Sequence, residues 1–248
     1  MTTYAEAALV SSLNYLSQSQ QAIAHNLANI SSTAFKRRQP IAEESPSRFH
    51  GMLREQLPTV KYREAADWSI GNLVPTGERN HVALESQDFF RVRDGEGNLF
   101  FTRSGELQVD AQGYLTDESG FHYLDNAGAD LQVRAEGDSS TGFSVTPGGE
   151  IVDADTGVST GRTLGVFRVG SREALQPAGR GRFVDTAKQD VVVVPTTAIR
   201  QGNVEASNVQ TVSEMVNMLV VQRSFQATAT ILRNVGQLQS SFVSALAR

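Results

Sequence analysis

A 38-residue stretch near the C-terminus, Val209 to Leu246, constrains this chain more than any other. Within it Met218, Val221, Phe225, Leu232, Val235, Phe242 and Leu246 follow alternating three- and four-residue steps, with Thr228 and Gln239 as polar interruptions. Apolar side chains at that spacing share one face of an α-helix. Such a helix would run about 57 Å, more than a compact domain of this size needs. Its stripe therefore has to find another helix.

The N-terminus supplies a second stripe. From Thr3 to Ile30, Leu9, Leu13, Leu16, Ile23, Leu27 and Ile30 follow the same stepping, with Gln20 in the vacant slot. Ser31, Ser32 and Thr33 then compete for backbone hydrogen bonds, and Pro40 disfavours continuation, so the helix is expected to stop near Ile30. Periodicity leaves two arrangements open. The terminal helices hide their stripes on each other within one copy, or the stripes also pack against neighbouring copies or homologues.

Glycine marks the middle as something else. Of 21 glycines, 18 lie between Gly71 and Gly181, and the first 50 residues have none. Short apolar or alternating runs predict strands at Val82–Leu84, Phe89–Val92, Leu99–Thr102, Leu107–Val109, Phe143–Thr146, Leu164–Val169, Gly181–Val184 and Asp190–Val194. Turn-forming residues separate them: Asp94-Gly95-Glu96-Gly97-Asn98, Ala111-Gln112-Gly113, Asp125-Asn126-Ala127-Gly128 and Pro147-Gly148-Gly149. Phe89, Phe90, Phe101 and Tyr114 are expected in the core or in hairpin packing, Arg91 and Arg103 as strand-orienting or rim residues.

The fold class is thus α+β, with long N- and C-terminal helices pairing as a coiled-coil-like stalk and a β-rich central domain of hairpins. Residues 1–30 and 201–248 form the helical part, 31–70 a connecting arm with room for a short helix in 51–60, and 71–200 the β domain. Residues 134–163 are expected to be its most elaborated loop region.

Enzyme chemistry finds no foothold in this pattern. The histidines His25, His50, His81 and His122 are scattered, there is no cysteine, and no nucleophile-elbow or phosphate-cradling motif is legible. Asp153 and Asp155 open an acidic loop that never acquires the terminal acid of a calcium site, and read as turn chemistry. No catalytic, cofactor or metal residue is assigned. The net charge of −5 argues against a polyanion binder, and Lys36-Arg37-Arg38 reads as a solvated cluster or protein-interface rim rather than a nucleic-acid site. A basic flank followed by a long apolar segment is missing at the N-terminus, so neither a cleavable signal peptide nor direct membrane insertion is expected.

Two ordered segments then carry a resemblance. Ile23-Ala24-His25-Asn26-Leu27-Ala28-Asn29-Ile30-Ser31-Ser32-Thr33-Ala34-Phe35-Lys36 resembles the N-terminal signature of bacterial flagellar rod and hook proteins. Gln201-Gly202-Asn203-Val204-Glu205-Ala206-Ser207-Asn208-Val209, followed by Glu214-Met215 and Gln222-Arg223-Ser224-Phe225, resembles their C-terminal one. Between them Gly71-Asn72-Leu73-Val74-Pro75-Thr76-Gly77, Asp88-Phe89-Phe90-Arg91-Val92, Phe101-Thr102-Arg103-Ser104-Gly105 and Gly113-Tyr114-Leu115-Thr116 resemble the family's β-rich domain. Two departures bear on local turn geometry. Ala34 stands where the family usually has glycine, and Glu85 to Asp88 replace a more glycine-rich approach to the paired aromatics.

The resemblance implies a structural subunit of the basal-body rod, crossing the periplasm, exported by the flagellar export apparatus, and transmitting torque from motor to hook. Its partners would be other rod proteins, with copies of the chain itself as further candidates. The implied assembly residues are Leu9, Leu13, Leu16, Ile23, Asn26, Leu27 and Asn29 on the first helix, and Met218, Val221, Gln222, Arg223, Phe225, Leu232 and Val235 on the last. Asn26 and Asn29 either satisfy backbone and cross-helix hydrogen bonds or simply face solvent. Arg223 either pairs across a subunit boundary or lays its stem on apolar surface. A competing class is a secreted binding or surface module displaying a β domain on a helical stalk.

Overall fold

The computed structural model describes residues 2–45, 59–134, 142–154, 156–195 and 198–246. The chain divides into two compact units, one of Met1–Asn29, Arg38–Asp67 and Gln210–Arg248, the other of Ile30–Arg37 and Trp68–Val209. It is α+β, with helices at both ends and strands between them.

In the first unit, helix α1 (Thr2–Ala28) packs along helix α2 (Thr211–Leu246). Ser31 to Thr33 lie beyond the helix, as their competing side chains lead one to expect, and Asn29 Nδ2 donates to His25 O at 2.8 Å, satisfying a carbonyl of the last turn. Strands Arg38–Ser45 and Thr59–Ala66 form an antiparallel hairpin that also packs on α1, with Arg38 opposite Ala66. Sequence reasoning saw only a connecting arm there because apolar alternation is weak. The strands are laced by charge instead, with Arg63–Glu43 at 2.7 Å and Arg38–Glu64 at 3.2 Å. Of the short helix expected in 51–60, residues 51–58 lie outside the described residues, while Thr59 and Val60 belong to the second strand.

Among the described residues of the second unit, the main sheet has nine strands. Along it, in order, come Leu175–Pro177, Arg182–Asp185, Leu99–Thr102, Phe89–Arg93, His122–Tyr123, Leu115–Thr116 and Gln108–Val109, while Val166–Val169 joins Phe89–Arg93 to Val191–Val193. Strand alternation sends adjacent aromatics to opposite faces. Phe90 enters a large core with Val92, Leu115, Tyr123, Leu131, Ile151 and Val166, whereas Phe89 joins Phe101, Phe167, Val169, Leu175 and Phe183 on the other side. Trp68 closes that second cluster edge-on to Phe89 and Phe183. Tyr114 is half-buried, stacked on His122.

The loop region expected at 134–163 is corrected over its described part, residues 135–141 and 155 lying outside the described residues. Residues 143–163 hold a three-stranded antiparallel sheet of Phe143–Val145, Glu150–Asp153 and Ser159–Thr163. Its last strand is mostly exposed and polar, which is why no apolar pattern betrayed it. Two further antiparallel pairs, Val82–Leu84 with Ile199–Gln201 and Leu73–Pro75 with Asn203–Glu205, bring the late chain back to the start of the unit.

One five-residue turn recurs along the unit. Asp94, Asp110, Asp117 and Asp125 each accept at Oδ1 from the backbone N–H two and four residues later, at 2.8 to 3.0 Å. The residue three places on is a glycine in the left-handed region, Gly97, Gly113, Gly120 and Gly128, with φ from 80 to 89°. The carboxylate replaces ladder bonds that the turn removes, and the glycine adopts a φ that a Cβ makes costly. A fifth copy uses Thr146 and Gly149, and a sixth uses Asp185 with Lys188 in the glycine slot at φ 48°.

Gly128 has open space where a Cβ would stand, whereas a Cβ on Gly113 would lie 2.4 Å from Arg134 O. Gly128→Ala should therefore cost only the left-handed backbone, about 1–2 kcal/mol, and Gly113→Ala distinctly more. Urea unfolding midpoints of the two variants would check that order; equal losses would show that backbone conformation, not space, sets the cost.

Candidate assembly site

The chain passes between the two units near residues 30, 37, 67 and 210. On each side of these passages a buried polar device gathers distant segments.

In the helical unit the device is Asn26. Ile23 and Asn26 are buried on α1, at 3% and 0% exposure. The Asn26 amide pairs with the Arg38 backbone in both directions, its Oδ1 accepting from Arg38 N at 2.8 Å and its Nδ2 donating to Arg38 O at 2.9 Å. The same Nδ2 donates to Glu214 Oε2 at 3.1 Å. Glu214 is fully buried in the first turn of α2, where a helix N-terminus favours negative charge. One amide thus ties α1, the hairpin and α2 together, using three of its hydrogen-bonding positions.

Other expected residues spread along the two helices. Leu9, Leu13, Leu16 and Leu27 are half-buried on α1, and Met218, Val221, Phe225, Leu232 and Val235 form a continuous half-buried face of α2. Asn29 bonds back to His25, one turn earlier on its own helix. Gln222 and Arg223 stand exposed, off the α2 face. Beside α1, Asn14, Ser17, Gln21 and His25 with Arg38, Tyr62 and Glu64 line a polar cleft of about 570 Å³. Tyr62 donates its hydroxyl to Glu64 at 2.9 Å, and burial together with that bond pushes its pKa up, so the phenol stays protonated. Burial first, then Arg38, pushes His25 down, favouring neutral imidazole.

In the β unit the device is Glu205, a carboxylate 2% exposed. Its Oε1 accepts from Lys36 Nζ at 2.6 Å and Gly71 N at 2.9 Å, and its Oε2 from Arg103 Nε and Nη2 at 2.7 Å. Its backbone oxygen accepts from Ala34 N at 2.7 Å. Lys36 also donates to Ser69 O at 2.6 Å. Asn208 accepts from Arg37 N at 2.7 Å and donates to Ser69 Oγ at 3.0 Å. Segments 30–37, 68–72 and 203–209, from which the chain leaves for the helical unit, are stitched into one cluster. Arg103 extends it by donating to Asp88 O, and the Asp88 carboxylate takes Nε and Nη2 of Arg168 at 2.8 and 3.1 Å. Burial opposes ionisation of Asp88, but the Arg168 guanidinium outweighs it and holds the carboxyl below its ordinary range.

Two expectations are corrected by this cluster. Lys36 is not part of a solvated basic cluster: it is 3% exposed, because a second buried cation, Arg103, shares the Glu205 carboxylate with it. Nor is Arg103 a rim residue, at 2% exposure. Glu205 and Glu214 fall within the C-terminal pattern, yet sequence reasoning assigns them no role, since nothing local marks a glutamate for burial. The two departures from the family pattern also acquire reasons. Ala34 adopts φ 55°, the left-handed region where glycine costs least. Glu85 and Asp88 meet Arg200 and Arg168.

Removing the shared acceptor leaves two buried cations short of their partner. Glu205→Gln should cost about 3–5 kcal/mol by chemical denaturation, whereas Ala34→Gly should be neutral or stabilise by up to about 1 kcal/mol. A loss below about 1 kcal/mol for Glu205→Gln would mean the cluster is not dry.

The comparisons with known proteins agree with this geometry. Residues 200–246, holding Glu205, Asn208, Glu214 and all of α2, match the family described as flagellar basal body rod FlgEFG protein C-terminal. Residues 83–155 match the flagellar hook protein FlgE/F/G D1 domain. The flagellar basal-body rod protein FlgF of Caulobacter vibrioides is 25% identical over 91% of both chains, and FlgF of Escherichia coli 28% over 87% of this chain and 88% of its own. FlgG of Buchnera aphidicola from Acyrthosiphon pisum is 26% identical over 87% and 89%. The protein is structural rather than enzymatic. Helical ends, a β-rich middle and a shared C-terminal pattern all support one family for this chain, that of the flagellar basal-body rod proteins.

Proposed function

We propose that this subunit assembles axially through its terminal helices and carries torque from motor to hook, as a proximal rod protein of the FlgF kind, with the FlgG kind as the alternative. In this reading the helices pair as a coiled-coil-like stalk that forms the inner layer of the rod, and the β unit forms an outer body. Other rod proteins and further copies of the chain are its partners, the flagellar export apparatus delivers it, and it lies in the periplasmic part of the basal body. Among the described residues no helix is long and apolar enough to cross a membrane, which accords with a subunit that is threaded through rather than embedded.

The observation that carries the proposal is a second apolar face on α2. Besides the half-buried stripe, Val212, Met215, Val216, Leu219, Val220, Ile231 and Leu238 are 47 to 75% exposed. Burying a side chain of this size completely is worth about 1.5–3 kcal/mol, so a helix with both faces oily is far better placed among neighbours than in water.

Met215→Glu combined with Leu219→Glu tests the reading. Both positions are exposed, so the isolated chain should unfold within about 0.5 kcal/mol of the parent. Incorporation into purified basal bodies should nevertheless fall at least tenfold, with loss of swimming in soft agar. Normal incorporation of this variant would take α2 out of the assembly.

A further inference from the structure

Sulfur in this chain is confined to four methionines, since it has no cysteine. Met1 and Met52 lie outside the described residues, and the other two stand three positions apart on α2. Their surroundings differ. Met215 is 58% exposed, whereas Met218 is half-buried on the face that packs along α1.

Glu214 fixes that difference. Its carboxylate is fully buried and accepts from Asn26 Nδ2 at 3.1 Å, which sets the rotation of α2 about its own axis. Successive helical residues are turned by about 100°, so Met218, one turn on, shares the inward side with Glu214, while Met215 is carried outward. Around it Val212, Val216, Leu219 and Val220 are 47 to 75% exposed. Valine and leucine fill this apolar patch with hydrocarbon alone; at position 215 the patch carries a thioether.

An exposed thioether is open to oxidation, and the product is the opposite of an apolar contact. A sulfur lone pair attacks one oxygen of a hydroperoxide, the O–O bond breaks, and the proton of the transferred oxygen passes to the departing one. The thioether is oxidised to a sulfoxide, and the peroxide is reduced to water or an alcohol. The sulfoxide oxygen accepts hydrogen bonds, and burying it on an apolar surface with no donor is costly.

We infer that Met215 is an oxidation site that controls assembly: its thioether admits the free subunit to the rod, and its sulfoxide, formed by a hydroperoxide, bars it. Once this face of α2 is covered, the same sulfur is shielded. The inference rests on the rod-subunit reading and adds a chemical regulation of that assembly face.

Hydrogen peroxide is the probe, with oxidation followed peptide by peptide by mass spectrometry. In the purified chain Met215 should be oxidised at least tenfold faster than Met218, and in purified basal bodies at least tenfold more slowly than in the free chain. In cells whose only copy is the parent, peroxide given while rods are being built should lower incorporation at least threefold. Cells carrying Met215→Leu should keep the level of their own untreated culture. Equal oxidation of the two methionines would overturn the site, and equal oxidation of Met215 in free chain and basal bodies would overturn its shielding. The same peroxide sensitivity in parent and Met215→Leu would overturn control of assembly, whereas a parent chain missing from untreated basal bodies would overturn the rod reading itself.

Discussion

A single carboxylate, Glu205, is the interaction on which the rest of the β unit's exit depends. Two buried cations and one backbone N–H converge on its two oxygens, and its own carbonyl takes a further N–H from Ala34. Buried ion pairs are poor sources of stability against an apolar alternative, because desolvation consumes most of the Coulombic gain. What they supply is geometry. A lysine from residue 36 and an arginine from residue 103 satisfy the same carboxylate in one arrangement, whereas a greasy contact tolerates sliding.

The helical unit uses the same logic with a neutral group. The Asn26 amide matches the Arg38 backbone in both directions and reaches Glu214, so that α1, the hairpin and α2 share a register near one end of the helix pair. Away from that point the contact between helices is apolar and half-buried, and α2 keeps a second apolar face. The contacts are thus specific at one end of the helix pair and generic along the rest of it. Polar contacts set register, and apolar faces supply most of the free energy of packing.

Much of the fold was legible because its signals are local. The two stripes placed both helices to within two residues, and the alternating Phe89–Val92 and Leu99–Thr102 runs placed central strands. The glycine turns were visible, but the aspartate that opens them, repeated at Asp94, Asp110, Asp117 and Asp125, went unread as a pattern. The hairpin over residues 38–66 and the strand Ser159–Thr163 were missed because charge and exposed polar residues, not apolar alternation, line them.

By itself, the sequence determined which stretches are helical, where the chain turns, and that oily stripes at both ends need partners, since residues within four positions of each other encode all three. The tertiary structure decided which polar groups are buried. Lys36 and Glu205 are 169 positions apart, Asn26 and Glu214 188, and no periodicity links residues so distant. It also decided that Arg91, one basic residue among many, lies between two rings with no acceptor for its Nε among the described residues. Burial and pairing are properties of the space that other segments leave, and that space exists only once the chain has closed on itself.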